Sequence, residues 1–273
     1  MRKLEKVGIE PIIVTGPFDI RDRVIIITGG AGQLGQAFVQ TLTAAGARIA
    51  VVDRAASPPT SNVLSLVADV TSRPDLEAAL AEIETTWGPP FGLVNAAALD
   101  SPPDSPPEEN GPFETYPELS FDRIMAVNVK GTFLCCQVFG GAMAAKGIGS
   151  IINIASIYGM VSPDQSLYQY RRDRGEAFFK PVAYSTSKSA IYNLTRYLAA
   201  YWGGAGVRVN TLTLGGVFNN QDPAFLERYH AKVPLGRMAN ADEYGGVVQF
   251  LLSDAASYMT GSNVIVDGGF TAL

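Results

Sequence analysis

Tyr184 and Lys188 stand four residues apart in YSTSK, inside a stretch that reads as helical. That spacing stacks both side chains on one helix face. An ammonium beside a phenol stabilises the phenolate and draws the tyrosine pKa down from about 10. The pair could then pass a proton to or from a carbonyl or alcohol. Taken alone, the same spacing describes many solvated helix faces, so neighbouring motifs must decide. Tyr158, Tyr168 and Tyr170 have no lysine four residues on and compete poorly.

A second candidate is TGGAGQLG, Thr28 to Gly35, with glycines at 29, 32 and 35 where a strand gives way to a helix. Small residues let the backbone approach a pyrophosphate, and the helix N-terminus offers free N–H groups. The plain alternative is a tight turn. Asp53 ends the next strand 18 residues beyond Gly35, close to the offset of a ribose-binding acid in dinucleotide sites. No metal site is expected, because the single histidine, His230, excludes multi-histidine zinc centres. His230 reads as part of a lid over 219–234.

The elements that must position these groups alternate. Strands are predicted at 24–28, 48–52, 63–68, 92–95, 150–155, 207–213 and 263–266. Helices are predicted at 34–45, 73–87, 120–146, 182–201 and 242–252. Nearly all-apolar strands alternating with helices predict one α/β domain over residues 1–273, a Rossmann-like doubly wound parallel sheet of about seven strands. Residues 1–20 form an N-terminal extension. Asp100–Glu118 carries six prolines and reads as a surface loop, and 160–181 reads as a second long loop.

With those pieces in order, the chain resembles the short-chain dehydrogenases/reductases from about Arg23 onward. AVNVKGTF, INIASIYG, YSTSK, VRVNTL and TGSNVIVDGG carry the likeness. The resemblance implies that Tyr184 exchanges the proton and that Lys188 tunes it and binds the nicotinamide ribose. Ser156 would hold the reacting oxygen, and Asn128 would anchor a water chain. The cofactor set it implies is Gly29, Gly32, Gln33, Leu34, Gly35, Asp53, Arg54, Asp69, Val70, Asn95 and Val217, with Tyr184 and Lys188. NAD is expected over NADP because Asp53 would repel a 2′-phosphate, with Arg54 the contrary signal. Homodimers or homotetramers are implied, through the helices of 120–146 and 182–201.

The departures are in loops. Gln33 replaces a usual glycine, so the spacing matches the sugar-nucleotide epimerases and dehydratases of the wider family. NAAA (95–98) replaces NNAG, and Leu214–Gly215 replaces a Pro–Gly pair. The 28 residues from Ser156 to Tyr184 are about twice the usual interval. The insertion should overhang the active site. Its Arg171, Arg172, Arg174 and Lys180 outnumber Asp173 and Glu176, so the three arginines are candidate ligands for an anionic substrate. The insertion also resembles a subset linked to flagellin modification and surface-sugar synthesis.

The expected function is therefore NAD(H)-dependent interconversion of a secondary alcohol and a ketone on a sugar or sugar phosphate. The alternatives are an NAD-assisted nucleotide-sugar epimerase or dehydratase, and a non-catalytic NAD-binding protein. A net charge of −5 argues against nucleic acid or an anionic membrane as partner. No apolar run is expected to span a bilayer. Adjacent Cys135 and Cys136 read as packing residues of a reducing compartment, and a cytoplasmic location is expected.

Overall fold

Every residue of β1 (Val24–Thr28) and β4 (Gly92–Asn95) is buried, as central strands covered on both faces must be. The computed structural model describes residues 16–57, 60–100 and 106–273. Its sheet adds β2 (Arg48–Asp53), β3 (Val63–Val67), β5 (Gly149–Ser156), β6 (Val207–Leu214) and β7 (Asn263–Val266). All seven strands are parallel, in the order β3-β2-β1-β4-β5-β6-β7. The order reverses between β1 and β4, and such a switch point opens a crevice at the strands' carboxyl ends.

Alternate residues of β1 feed two cores. Ile25 and Ile27 pack with Phe38 and Leu42 of α1 (Gln33–Ala44) and with Val248 and Leu251 of α7 (Gly245–Leu252). Val24 and Ile26 pack with Leu76 of α2 (Arg73–Trp87), Phe139 of α3 (Glu118–Lys146) and Leu198 of α5 (Val182–Trp202). One half of the strand pattern thus meets two helices and the other half three, on opposite sides of the sheet.

The structure corrects several expectations. By length and composition alone, α3 is long and apolar enough to cross a membrane, with mean hydropathy 1.2 over its best window. Much of that apolar surface packs inside the domain, around Leu134, Cys135, Cys136 and Phe139. Two π-helical stretches, Ala126–Gly131 and Cys136–Gly140, interrupt it. The insertion is not an irregular loop: it holds a single turn, Gln165–Tyr168, and a short helix, α4 (Gln169–Asp173). The 219–234 segment contains α6 (Pro223–His230), capped by Asp222 accepting from Ala224 N.

A third apolar cluster joins these two segments. Leu167, Tyr168 and Phe178 of the insertion pack on Phe225, Tyr229 and Val233 of the α6 region. Of the N-terminal extension, residues 1–15 lie outside the described residues. Ile20 is fully buried, and the Pro17 carbonyl accepts from Ala255 N at 2.8 Å. Pro102 and Pro103 of the proline-rich stretch also lie outside the described residues. The rest of that stretch includes the turns Pro107–Asn110 and Phe113–Thr115.

Candidate active site

The glycine loop leaves β1 and enters α1 with Gly29 at φ +69°, a left-handed conformation that disfavours a side chain. A Cβ on Gly29 would lie 2.7 Å from the Ala97 Cα, and one on Gly35 would lie 2.1 Å from the Gly29 carbonyl oxygen. Gly32 differs, because its added Cβ would meet only the Gly29 oxygen at 3.4 Å. No side chain caps α1 at Gly32, so the first-turn N–H groups stay available to an anion. Asp53 closes the loop: its carboxylate accepts from Ala31 N and Ala55 N, both at 3.0 Å.

Two members of the expected cofactor set point elsewhere. Asn95 spends its amide in the core, donating to Asn153 Oδ1 at 2.8 Å and to Cys136 Sγ at 3.4 Å. The Val70 side chain packs against Gly131 of α3. The backbone N–H and hydroxyl of Thr71 hold the Asp69 carboxyl below the usual range. Gln33 donates through Nε2 to the Phe218 carbonyl at 2.7 Å, while Leu34 and Val217 line the cleft.

The cleft encloses about 760 Å³ between the glycine loop, the end of β5, the start of α5 and the two-part roof. Ser156, Tyr184 and Lys188 all line it. Ser156 ends β5, its Oγ accepting from Tyr158 N at 3.2 Å, and its side chain faces the Tyr184 phenol. Tyr184 and Lys188 project from the first turns of α5. The Lys188 ammonium donates to the Ile154 carbonyl at 2.9 Å. Gly159 allows this docking, since a Cβ there would lie 2.7 Å from the Lys188 carbonyl carbon.

Asn128 occupies the first π-helical stretch, a distortion common at functional sites. Its Oδ1 accepts from Leu99 N at 2.7 Å, and its Nδ2 donates to Leu99 O and Ser187 Oγ, each at 2.9 Å. The side chain thereby ties the loop after β4 to α5.

Burial decides the charges here. Lys188 is lowered to about 8 by desolvation, against a smaller opposing pull from Asp100. The same burial pushes Tyr184 up, and Asp100 adds to the rise, while the Ser156 hydroxyl opposes it. The expected downward pull of Lys188 on the phenol is therefore outweighed in the protein alone. Tyr158 and Tyr168 are raised by burial as well, and neither has a lysine four residues on.

The arginine cluster is likewise rebalanced. Arg172 does not reach the cleft; it braces the insertion by donating to the Phe178 and Gln165 carbonyls at 2.8 and 2.7 Å. Arg171 pairs with Glu176 at 2.5 Å and Arg174 with Asp222 at 2.8 Å, both at the cleft wall. Lys180 pairs with Asp100 at 2.5 Å. Asp100 and Asp222, both from outside the insertion, cancel the excess positive charge read from its sequence. Sequence reasoning missed Asp100, Gln165 and Gly159 as site residues. Lys180, four residues before Tyr184, was the one available signal.

The residues present fit a dinucleotide: an uncapped helix start, glycines that keep the loop flat, and a carboxylate at the end of β2. The doubly wound sheet and this site define the class. A family profile described as enoyl-(acyl carrier protein) reductase matches residues 29–271. The chain is 34% identical to 2-(S)-hydroxypropyl-CoM dehydrogenase 3 of Xanthobacter autotrophicus, over 93% of this chain and 98% of that one. It is 33% identical to galactitol 2-dehydrogenase (L-tagatose-forming) of Cereibacter sphaeroides, over 90% and 93%. A short-chain dehydrogenase from Leptospira borgpetersenii, solved with bound NAD+, superposes with a TM-score of 0.84 at 31% identity, covering 96% and 98%. The chain belongs to the short-chain dehydrogenase/reductase family and is an oxidoreductase.

Proposed function

We propose that the protein oxidises a secondary alcohol of a small hydroxylated substrate to a ketone, reversibly, with NAD(H). The observation that carries this reading is the meeting of Ser156, Tyr184 and Lys188 in one cleft with the glycine loop on its wall. When bound, the nicotinamide supplies the hydride acceptor. The substrate hydroxyl sits between Ser156 and Tyr184, and the Tyr184 oxygen takes its proton. Lys188 holds the cofactor ribose, and Asn128 keeps the β4 loop and α5 in register.

Asp53 favours NAD over NADP, because its carboxylate lies beside the loop that would hold the adenosine ribose. The relatives named for galactitol and for hydroxypropyl-CoM support a secondary alcohol as the reacting group. An anionic surface-glycan precursor loses its electrostatic support, since the cleft arginines already have carboxylate partners. The epimerase alternative rested on glycine spacing; the relatives named as dehydrogenases favour alcohol oxidation instead.

Screening polyols and their ketoses for NADH formation or consumption at 340 nm tests the reading. Tyr184→Phe should lose about 10²- to 10⁴-fold in turnover on any substrate found, with NADH affinity kept. Full activity in that variant would end the proposal.

A further inference from the structure

We propose that Tyr192 is a positioning residue for the reaction: its hydroxyl fixes the Ser156 carbonyl, and through that peptide it keeps the Ser156 side chain aimed at the Tyr184 phenol. This rests on reading Ser156 as the group that holds the reacting oxygen. It extends the working face of α5 one turn beyond Lys188, to a residue outside the YSTSK motif.

Tyr184, Lys188 and Tyr192 follow one another at four-residue intervals, so they share one face of α5. Two of them bond to the end of β5. Lys188 donates to the Ile154 carbonyl at 2.9 Å, and Tyr192 donates to the Ser156 carbonyl at 3.0 Å. The Tyr192 oxygen also meets Thr213 Oγ1 of β6 at 3.0 Å. Thr213 gives its own proton to Asn263 Oδ1 at 2.6 Å, so the Tyr192 proton is the one that the Ser156 carbonyl and the Thr213 oxygen share. The phenol oxygen is thereby held between β5 and β6.

Ser156 is where the strand stops and the chain turns. It is still extended, at φ −139° and ψ 154°, and it caps the single turn Ile157–Gly159 that follows. Its Oγ accepts from Tyr158 N at 3.2 Å, the contact that steadies the hydroxyl beside Tyr184. Rotation of the Ser156 carbonyl about ψ carries that turn along and withdraws the Tyr158 N–H from Oγ. The bond from Tyr192 opposes this rotation from the helix side. Phenylalanine at 192 keeps the ring in place and removes only the donor.

The test has two arms. The first needs no substrate: amide exchange is followed residue by residue by NMR in the parent and in Tyr192→Phe. The Tyr158 amide should exchange several-fold faster in the variant, while the amides of β1 and β4 stay as protected as before. The second arm uses any substrate the 340 nm screen finds. Tyr192→Phe should lower kcat by about 3- to 10-fold, the worth of one hydrogen bond, with NADH affinity kept. In a Ser156→Ala background the same substitution should change turnover by less than about twofold, because the side chain it positions is gone. A purely structural role for Tyr192 predicts equal losses in both backgrounds, and that result overturns the proposal. An unchanged Tyr158 amide overturns it as well. Failure of the oxidoreductase reading would appear separately, as absence of hydride transfer in the parent, and the amide arm would then decide whether Tyr192 holds Ser156.

Discussion

The Gln33 side chain reaches from the first turn of α1 to the Phe218 carbonyl, 2.7 Å away and 185 residues later in the chain. This hydrogen bond ties the cofactor loop to the segment that follows β6. Glycine at position 33 could not make it. Gln33→Ala should therefore loosen 217–222 with little effect on the sheet. Hydrogen exchange should rise several-fold in that segment alone, because one exposed hydrogen bond contributes only about 1 kcal/mol. Unchanged protection at 217–222 would show that the roof is held elsewhere.

The three loop glycines should not respond alike. Gly35→Ala forces a methyl to within 2.1 Å of a backbone oxygen, and neighbouring backbone must move to admit it. Overpacking of this kind costs about 1–3 kcal/mol, visible as a lower melting temperature. Gly32→Ala meets one atom at 3.4 Å and should melt within a degree or two of the parent. Equal losses in the two variants would contradict the loop geometry.

Lys188 carries a cost for its position. Its folded pKa near 8 lies below the unfolded value of 10.5, so the unfolded chain binds more protons between those limits. Stability contributed by this group must then rise with pH from about 8 to 10.5. Near neutral pH the burden is on the order of 3 kcal/mol. Lys188→Met should be inactive yet more heat-stable than the parent at pH 7, with the gap narrowing as pH climbs to 10. A gap that does not depend on pH would locate the gain in packing instead.

Tyr197 and Tyr201 lie stacked on the outer face of α5, with ring centres 6.0 Å apart, and each is more than 60% exposed. Phe133 of α3 is also exposed. Such a surface suits a two-fold contact between copies of the chain. Light scattering at micromolar concentration should give at least a dimer, and Tyr197→Glu with Tyr201→Glu should reduce it to a 29.0 kDa monomer. A monomeric parent would refute this assembly.

The amino-acid pattern alone determined the seven strands, the five main helices and the loop-to-helix cradle. Local physics suffices there: buried parallel strands need continuous apolar runs, and a tight turn against backbone needs Gly29 and Gly35. The Tyr184–Lys188 spacing was equally legible, because it is set by one helix. Tertiary structure decided what those side chains experience. Burial raises the phenol and lowers the ammonium, and burial depends on elements distant in sequence. The same holds for the arginine-rich insertion, whose charge read as an excess until Asp100 and Asp222 arrived from other loops. Asn95 and Arg172 show the limit most plainly. Each has a residue type suited to a ligand, yet each is consumed by partners that only the folded chain brings within reach.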